Sequence, residues 1–173
     1  HWESWAVNGN GESITMQPGV IGSKVNEYLK PYGRKFGPDP ASIKSCMVGG
    51  IVMNNASGMS CGTHANSDRT LISARIVFAD GFVLDTADKS SCESFTVSHP
   101  EIIQSIAALR DEVMSDPVLV ERIRCKYSIK NVTGLNILPL VTFEEPIQII
   151  LHSLVGSDGT LASISEVTMQ SLH

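Results

Sequence analysis

Residues 48–62 have the sequence VGGIVMNNASGMSCG, a stretch of mostly small residues without a charged side chain. Glycine, alanine and serine add so little bulk that a ligand can approach the backbone closely. Backbone N–H groups at a helix start can hold a diphosphate without a lysine, and Asn54, Asn55 and Ser57 add side-chain donors and acceptors. The stretch therefore suits a large, flat, phosphate-bearing cofactor, although a Gly-Gly pair alone is more often a turn or a packing contact.

The glycines do not follow either of the two common nucleotide-binding patterns. The stretch contains neither G-x-G-x-x-G after a strand nor G-x-x-x-x-G-K-[ST]. We therefore exclude a Rossmann fingerprint and a P-loop.

Strand patterns lie on both sides of this stretch. Residues 13–17 alternate between polar and apolar side chains, as a half-buried strand does. Residues 71–78 predict a second strand, Asp80-Gly81 predicts a hairpin turn, and residues 82–84 predict the return strand. Residues 161–169 predict a final strand. In the strand predicted at residues 71–78, four apolar side chains are expected to share one face: Ile72, Ala74, Ile76 and Phe78.

Between the hairpin and the final strand the apolar residues recur with the period of a helix. Residues 98–101, Ser-His-Pro-Glu, predict a capping box with proline in the first turn. Asp116-Pro117 predicts the start of a second helix, and residues 145–151 predict a third. We expect an α+β fold with a helical insertion at about residues 98–152. The stripe predicted for the first of these helices consists of Ile102, Ile106, Leu109 and Val113.

Composition excludes several classes of function. The net charge of -5 argues against a nucleic-acid surface, and no apolar run is long enough to span a membrane. The four cysteines form no C-x-x-C pair, which favours reduced thiols in a cytosolic protein over a disulfide or an iron–sulfur site. The first residues do not form a signal peptide, and we interpret them as a cut inside a longer protein.

Four motifs occur in a fixed order, and together they are more specific than any one of them. They are Gly37-Pro38-Asp39-Pro40-Ala41-Ser42, Val48-Gly49-Gly50 with Asn54 to Gly58, Ala79-Asp80-Gly81, and Gly156 to Leu161. The series resembles the FAD-binding domain of the vanillyl-alcohol oxidase / p-cresol methylhydroxylase superfamily, and within it the D-lactate and D-2-hydroxyglutarate dehydrogenases. Residues 126–134 also resemble large members that carry an additional iron–sulfur domain. The resemblance implies an FAD-binding type 2 subdomain, a mainly antiparallel sheet flanked by helices.

The resemblance also implies which residues bind FAD. Two departures from the family pattern occur: Asp158 stands where glutamate is usual, and Cys61 stands before Gly62 where many relatives have an aromatic residue. The implied contacts are Pro40, Ser42, Cys46 and Met47 beside the flavin; Gly49, Gly50, Asn54, Asn55, Ala56, Ser57 and Gly58 beside the diphosphate and ribityl chain; Gly62 in the loop that follows; and Gly159 and, through its backbone, Ile164 toward the adenine.

Residues 1–173 would then be a partial FAD-binding domain, its second subdomain. In the family, the first subdomain precedes this stretch and the substrate or cap domain follows it, so we expect the chain alone to bind FAD poorly. The parent enzyme would oxidise a D-2-hydroxy acid, of the D-lactate or D-2-hydroxyglutarate type, to the 2-oxo acid by hydride transfer to flavin. We expect no catalytic residue and no metal site in this chain.

Two alternatives stay open on the sequence. One is a flavin-free relative of the fold that acts as a structural or interaction module, and the other is a same-fold flavoenzyme with different chemistry, such as ether-lipid synthesis or aldonolactone oxidation. The electron acceptor is open as well. We expect a cytoplasmic location, or peripheral attachment of the parent enzyme to the inner membrane.

Overall fold

The computed structural model describes residues 2–58, 64–129, 131 and 134–173. Their frame is a 6-stranded sheet in which β1, β2, β6, β4 and β5 lie side by side, while β3 pairs with the end of β6. Every one of these pairings is antiparallel, which confirms the predicted fold class. The strands are β1 (Trp5–Asn8), β2 (Ser13–Met16), β3 (Lys35–Phe36), β4 (Leu71–Val77), β5 (Val83–Asp85) and β6 (Ser163–Leu172).

Helices flank the sheet in two groups. The helices of the second group lie in the chain between β5 and β6. The first of them begins at Lys89, earlier than the predicted start of the helical insertion at about residue 98. Four of them begin at a proline, whose fixed φ suits the first helical position and whose missing N–H is not needed there. The first group is α1 (Gly22–Leu29), α2 (Val48–Met53) and α3 (Ser67–Thr70); the second is α4 (Lys89–Ser98), α5 (Pro100–Met114), α6 (Pro117–Tyr127), α7 (Pro139–Thr142) and α8 (Pro146–Ser153).

The core lies between the sheet and the helices. Alternate residues of the central strands, such as Ile14 on β2 and Val167 on β6, are fully buried against Val25 of α1 and Ile51 of α2. Burying each such side chain stabilises the fold by about 1.5–3 kcal/mol. A second, smaller cluster joins the helices α5 to α8 around Ile149.

Some sequence-based predictions were wrong in detail, and the first concerns β4. Ile72 does not share a face with Ala74 and Ile76, because the pairing of β4 with β6 shifts register between Leu71 and Ser73; Ile72 is 48% exposed. Such a bulge sends an extra residue to the opposite side of the strand.

The capping box at residues 98–101 does not form either. Ser98 is the last residue of α4, and its hydroxyl donates to the Phe95 carbonyl at 3.3 Å instead of capping α5. Helix α4 has no strong apolar period and was not predicted. Ser98 was therefore assigned to the start of α5, whereas it is the end of α4. On α5, Val113 is buried as predicted, whereas Leu109 is 45% exposed.

The start of α6 was predicted correctly. The Asp116 carboxylate accepts hydrogen bonds from the amides of Val118 and Leu119, both at 3.0 Å. Among the described residues, no helix is both long and apolar enough to cross a membrane.

Candidate functional site

The loop that carries Pro40, Ser42 and Cys46 runs along the start of α1. The amide of Gly22 donates to the Cys46 carbonyl at 3.0 Å, and the Cys46 amide donates to the Ser42 carbonyl at 2.9 Å. These bonds hold the loop as a series of tight turns. Pro40 and Cys46 are half-buried, and Ser42 is exposed. Of the three predicted contact residues in this loop, Ser42 is therefore the most accessible.

The two glycines at the start of α2 differ in what surrounds them. A Cβ on Gly49 would lie 2.7 Å from Cβ of Pro18, whereas a Cβ on Gly50 would meet, beyond its own helix, no atom of the described residues within 4 Å. The amides of Val48 and Gly49 donate to the Val20 and Pro18 carbonyls at 2.8 and 2.9 Å. These two amides are therefore satisfied inside the chain, and an anion at this helix start would find them already bonded.

One side of α2 is exposed, and we call it the α2 face. It consists of Met47, Gly50 and Asn54, spaced so that they follow one side of the helix, while Val48 and Ile51 on the other side are buried. Because the fold leaves room for a side chain at Gly50, packing within the chain does not explain why a glycine stands there. The α2 face fits a flat group lying close to the backbone.

The loop of residues 54–58 follows this face and contacts the proline loop. A Cβ on Gly58 would lie 1.8 Å from the Asp39 carbonyl oxygen, so only glycine permits this approach. Asn55 adopts a left-handed backbone with φ 47° and is 4% exposed. Its side-chain oxygen accepts a hydrogen bond from the Asp68 amide at 3.3 Å. Tertiary contacts therefore bring two of the sequence motifs together.

The last motif packs on the end of α2. The amides of Gly156 and Asp158 both donate to the Met53 carbonyl at 2.9 Å, and Gly159 follows in a left-handed conformation. Ile164 lies in β6 opposite Ile76, and its side chain is buried, so only its backbone could face a ligand.

The structure brings the first, second and fourth motifs together, whereas Ala79-Asp80-Gly81 forms the turn between β4 and β5. The individual FAD contacts stay predictions. Gly62, together with Cys61 before it, lies outside the described residues. Gly49 lies on the side of α2 that packs against Pro18. The remaining residues predicted to bind FAD lie on the α2 face, in the two loops beside it, or on the turn and strand that pack against them.

Residues behind the loop were not assigned a role on the sequence. The Ser67 hydroxyl donates to the Ile51 carbonyl at 3.2 Å, and Asp68 bonds Asn55 as described. Burial raises the pKa of Asp68, and burial lowers the pKa of His152 on α8. Polar residues in a four-residue helix have no periodic pattern, so only the fold identifies them as supports of the loop.

Comparisons with known proteins agree with this architecture. A family model described as FAD binding domain matches residues 4–87. D-2-hydroxyglutarate dehydrogenase of Haemophilus influenzae is 26% identical, with 92% of this chain and 16% of that protein covered. The Escherichia coli protein of the same name is 24% identical, with coverages of 90% and 15%. Glycolate oxidase subunit GlcD of Escherichia coli is 30% identical over 45% of this chain and 16% of its own length.

Solved structures give the same fold. Glucooligosaccharide oxidase of Acremonium strictum matches with a TM-score of 0.54 and 16% identity, over 99% of this chain and 24% of that one. An alkyldihydroxyacetonephosphate synthase matches with a TM-score of 0.53 and 16% identity, over 98% of this chain and 21% of that one. The chain thus spans only a small part of each relative. The antiparallel α+β fold and the match over residues 4–87 make this chain similar to FAD-binding domains.

Proposed function

We propose that this chain forms one wall of the FAD cleft of a longer oxidoreductase, and that the enzyme oxidises a D-2-hydroxy acid to the 2-oxo acid. The cofactor part of the proposal rests on the α2 face, where Gly50 leaves open space that the fold itself does not need. A flat ring system lying there would contact Met47 and Asn54 on either side of the glycine.

The bound flavin would supply the redox chemistry, acting as acceptor for the hydride from C2 of the substrate. The contribution of this chain is contact and orientation. Pro40 and Ser42 would border the ring system, and the small residues of the 54–58 loop would let the cofactor approach the backbone. The turn at Gly159 and the backbone of Ile164 would border its other end. Gly62 stays in the proposed set on the strength of its motif.

The substrate class rests on how far the relatives match. The proteins named D-2-hydroxyglutarate dehydrogenase match over 92%, 90% and 94% of this chain, so their similarity extends through the helices α4 to α8. The proteins named glycolate oxidase subunit or D-lactate dehydrogenase match over 45%, 42% and 44%. This difference favours a D-2-hydroxy dicarboxylic acid over glycolate or D-lactate.

The two alternatives make different predictions. A flavin-free structural module would bind no FAD in its full-length form. A flavoenzyme with other chemistry would bind FAD but would not be reduced by a D-2-hydroxy acid.

The test is an absorbance spectrum of the purified full-length parent before and after anaerobic addition of substrate. We expect the two visible flavin bands, and we expect D-2-hydroxyglutarate to bleach them while its L-form does not. D-lactate, tested in parallel, distinguishes the two acids. A colourless protein that takes up no added FAD contradicts the cofactor part, and a yellow protein that no D-2-hydroxy acid bleaches contradicts the substrate part.

A further inference from the structure

A small cavity lies behind the 54–58 loop, where α3 meets α7 and α8. Its volume is about 40 Å³, and its lining includes Asp68, Arg69, Asn136, Phe143 and His152. A polar cavity of this size has room for one water molecule, which needs two or more polar partners to stay there.

The first polar atom of interest in this cavity is Oδ1 of Asp68. This oxygen is buried and has no hydrogen-bond partner within the described part of the chain. Its companion, Oδ2, lies 3.9 Å from Nε of Arg69. A buried acceptor without a donor is costly and needs a physical explanation. Asp68 Oδ1 therefore needs a hydrogen-bond donor.

The second polar atom of interest in this cavity is a ring nitrogen of His152. The ring is 9% exposed and stacks on Phe143 with the centroids 4.4 Å apart. Burial lowers the pKa of His152, so the ring is neutral near pH 7 and carries one N–H and one bare nitrogen. The nearby Asp68 backbone acts in the opposite direction and raises the pKa of the ring, but less than burial lowers it. Whichever nitrogen carries the proton, the other ring nitrogen is an acceptor.

The cavity thus needs a small molecule with two donors, and the positive charge of Arg69 in its lining disfavours a metal cation. We propose that the cavity binds one water molecule, which donates one proton to Asp68 Oδ1 and the other to the bare ring nitrogen of His152. The bridge ties α8 to α3.

The proposed water bridge also affects the loop of residues 54–58, on the other side of α3. The Asp68 amide donates to Asn55 at 3.3 Å, so a fixed Asp68 also fixes the left-handed backbone of Asn55. Asp68 and His152 are then positioning residues for the loop of residues 54–58. This second step rests on the proposed function, because it matters for a cofactor only if that loop borders FAD. The water site does not depend on it.

The water site is tested by a crystal structure of the full-length parent at a resolution that shows ordered waters. We expect one density peak within hydrogen-bond distance of both Asp68 Oδ1 and a His152 ring nitrogen. No peak, or a peak with metal-like coordination, overturns the proposal. Asp68→Leu removes one acceptor and should remove the peak, while Thr142→Val alters the same lining and should keep it.

The positioning role is tested by the visible spectrum and FAD affinity of the same variants and of His152→Phe, which keeps a ring against Phe143 but loses both nitrogens. We expect His152→Phe and Asp68→Leu to shift the flavin bands and raise the FAD dissociation constant about tenfold, the effect of losing roughly one buried hydrogen bond. Thr142→Val should leave both unchanged. Equal effects in all folded variants overturn the positioning role. A parent protein without flavin instead removes the proposed function and leaves the water site standing.

Discussion

Replacing Gly50 with alanine separates the needs of the fold from those of a ligand. Outside its own helix, the added methyl group meets none of the described atoms within 4 Å, and the residue lies inside α2. Alanine loses less backbone freedom on folding than glycine, so the free energy of unfolding of the apo-protein should rise by about 0.5–1 kcal/mol. The same methyl group stands on the α2 face, where it would hold a flat cofactor away from the backbone.

An overpacked contact costs about 1–3 kcal/mol. In FAD affinity this corresponds to a loss of roughly 5- to 150-fold. The assay is denaturant unfolding of the full-length apo-protein, followed by titration of the same preparation with FAD. The expected pattern is a more stable apo-protein that binds FAD more weakly.

Gly49→Ala is the matched control. Its methyl group would lie 2.7 Å from Cβ of Pro18, so this variant should lose about 1–3 kcal/mol of apo-protein stability. If Gly50→Ala binds FAD as tightly as the unchanged protein, the α2 face does not contact the cofactor and that part of the reasoning is refuted. If Gly49→Ala is as stable as the unchanged protein, the packing argument is refuted.

Three further predictions concern the stability of the fold. Gly58→Ala, which would place a methyl carbon 1.8 Å from the Asp39 carbonyl oxygen, should destabilise the protein by about 3 kcal/mol or more; a thermal melting temperature equal to that of the unchanged protein would contradict the contact. Asp116→Ala removes the cap of α6 and should cost about 0.5–2 kcal/mol in urea unfolding, with FAD binding unaffected; an unchanged unfolding midpoint would show that water replaces the cap. The third is a pH dependence. Hydrogen bonds from the backbone amide of Phe82 and then from His99 lower the pKa of Asp80 below its ordinary 3.8, so its contribution to stability is present above pH 3.8 and is lost as the pH falls through the lowered value. Asp80→Asn should therefore be less stable than the unchanged protein at neutral pH, and the difference should vanish in strong acid; a difference that persists there would exclude ionisation of Asp80 as its cause.

Several elements were predictable from sequence because their causes are local. The alternation in residues 13–17, the Asp80-Gly81 turn and the Asp116 cap each depend on a few consecutive residues, and each forms as predicted. The order of strand and helix patterns predicted the α+β class, and the family resemblance carried by the motif series implied the antiparallel sheet.

The tertiary structure alone decided what depends on residues distant in sequence. The bulge at Ile72 arises from its pairing with β6, and the difference between Gly49 and Gly50 arises from Pro18 on one side of α2 and open space on the other. The approach of Gly58 to Asp39 likewise depends on two residues that are far apart in the sequence. Sequence spacing determines which face of an element a side chain occupies, but only the folded chain determines what stands opposite that face.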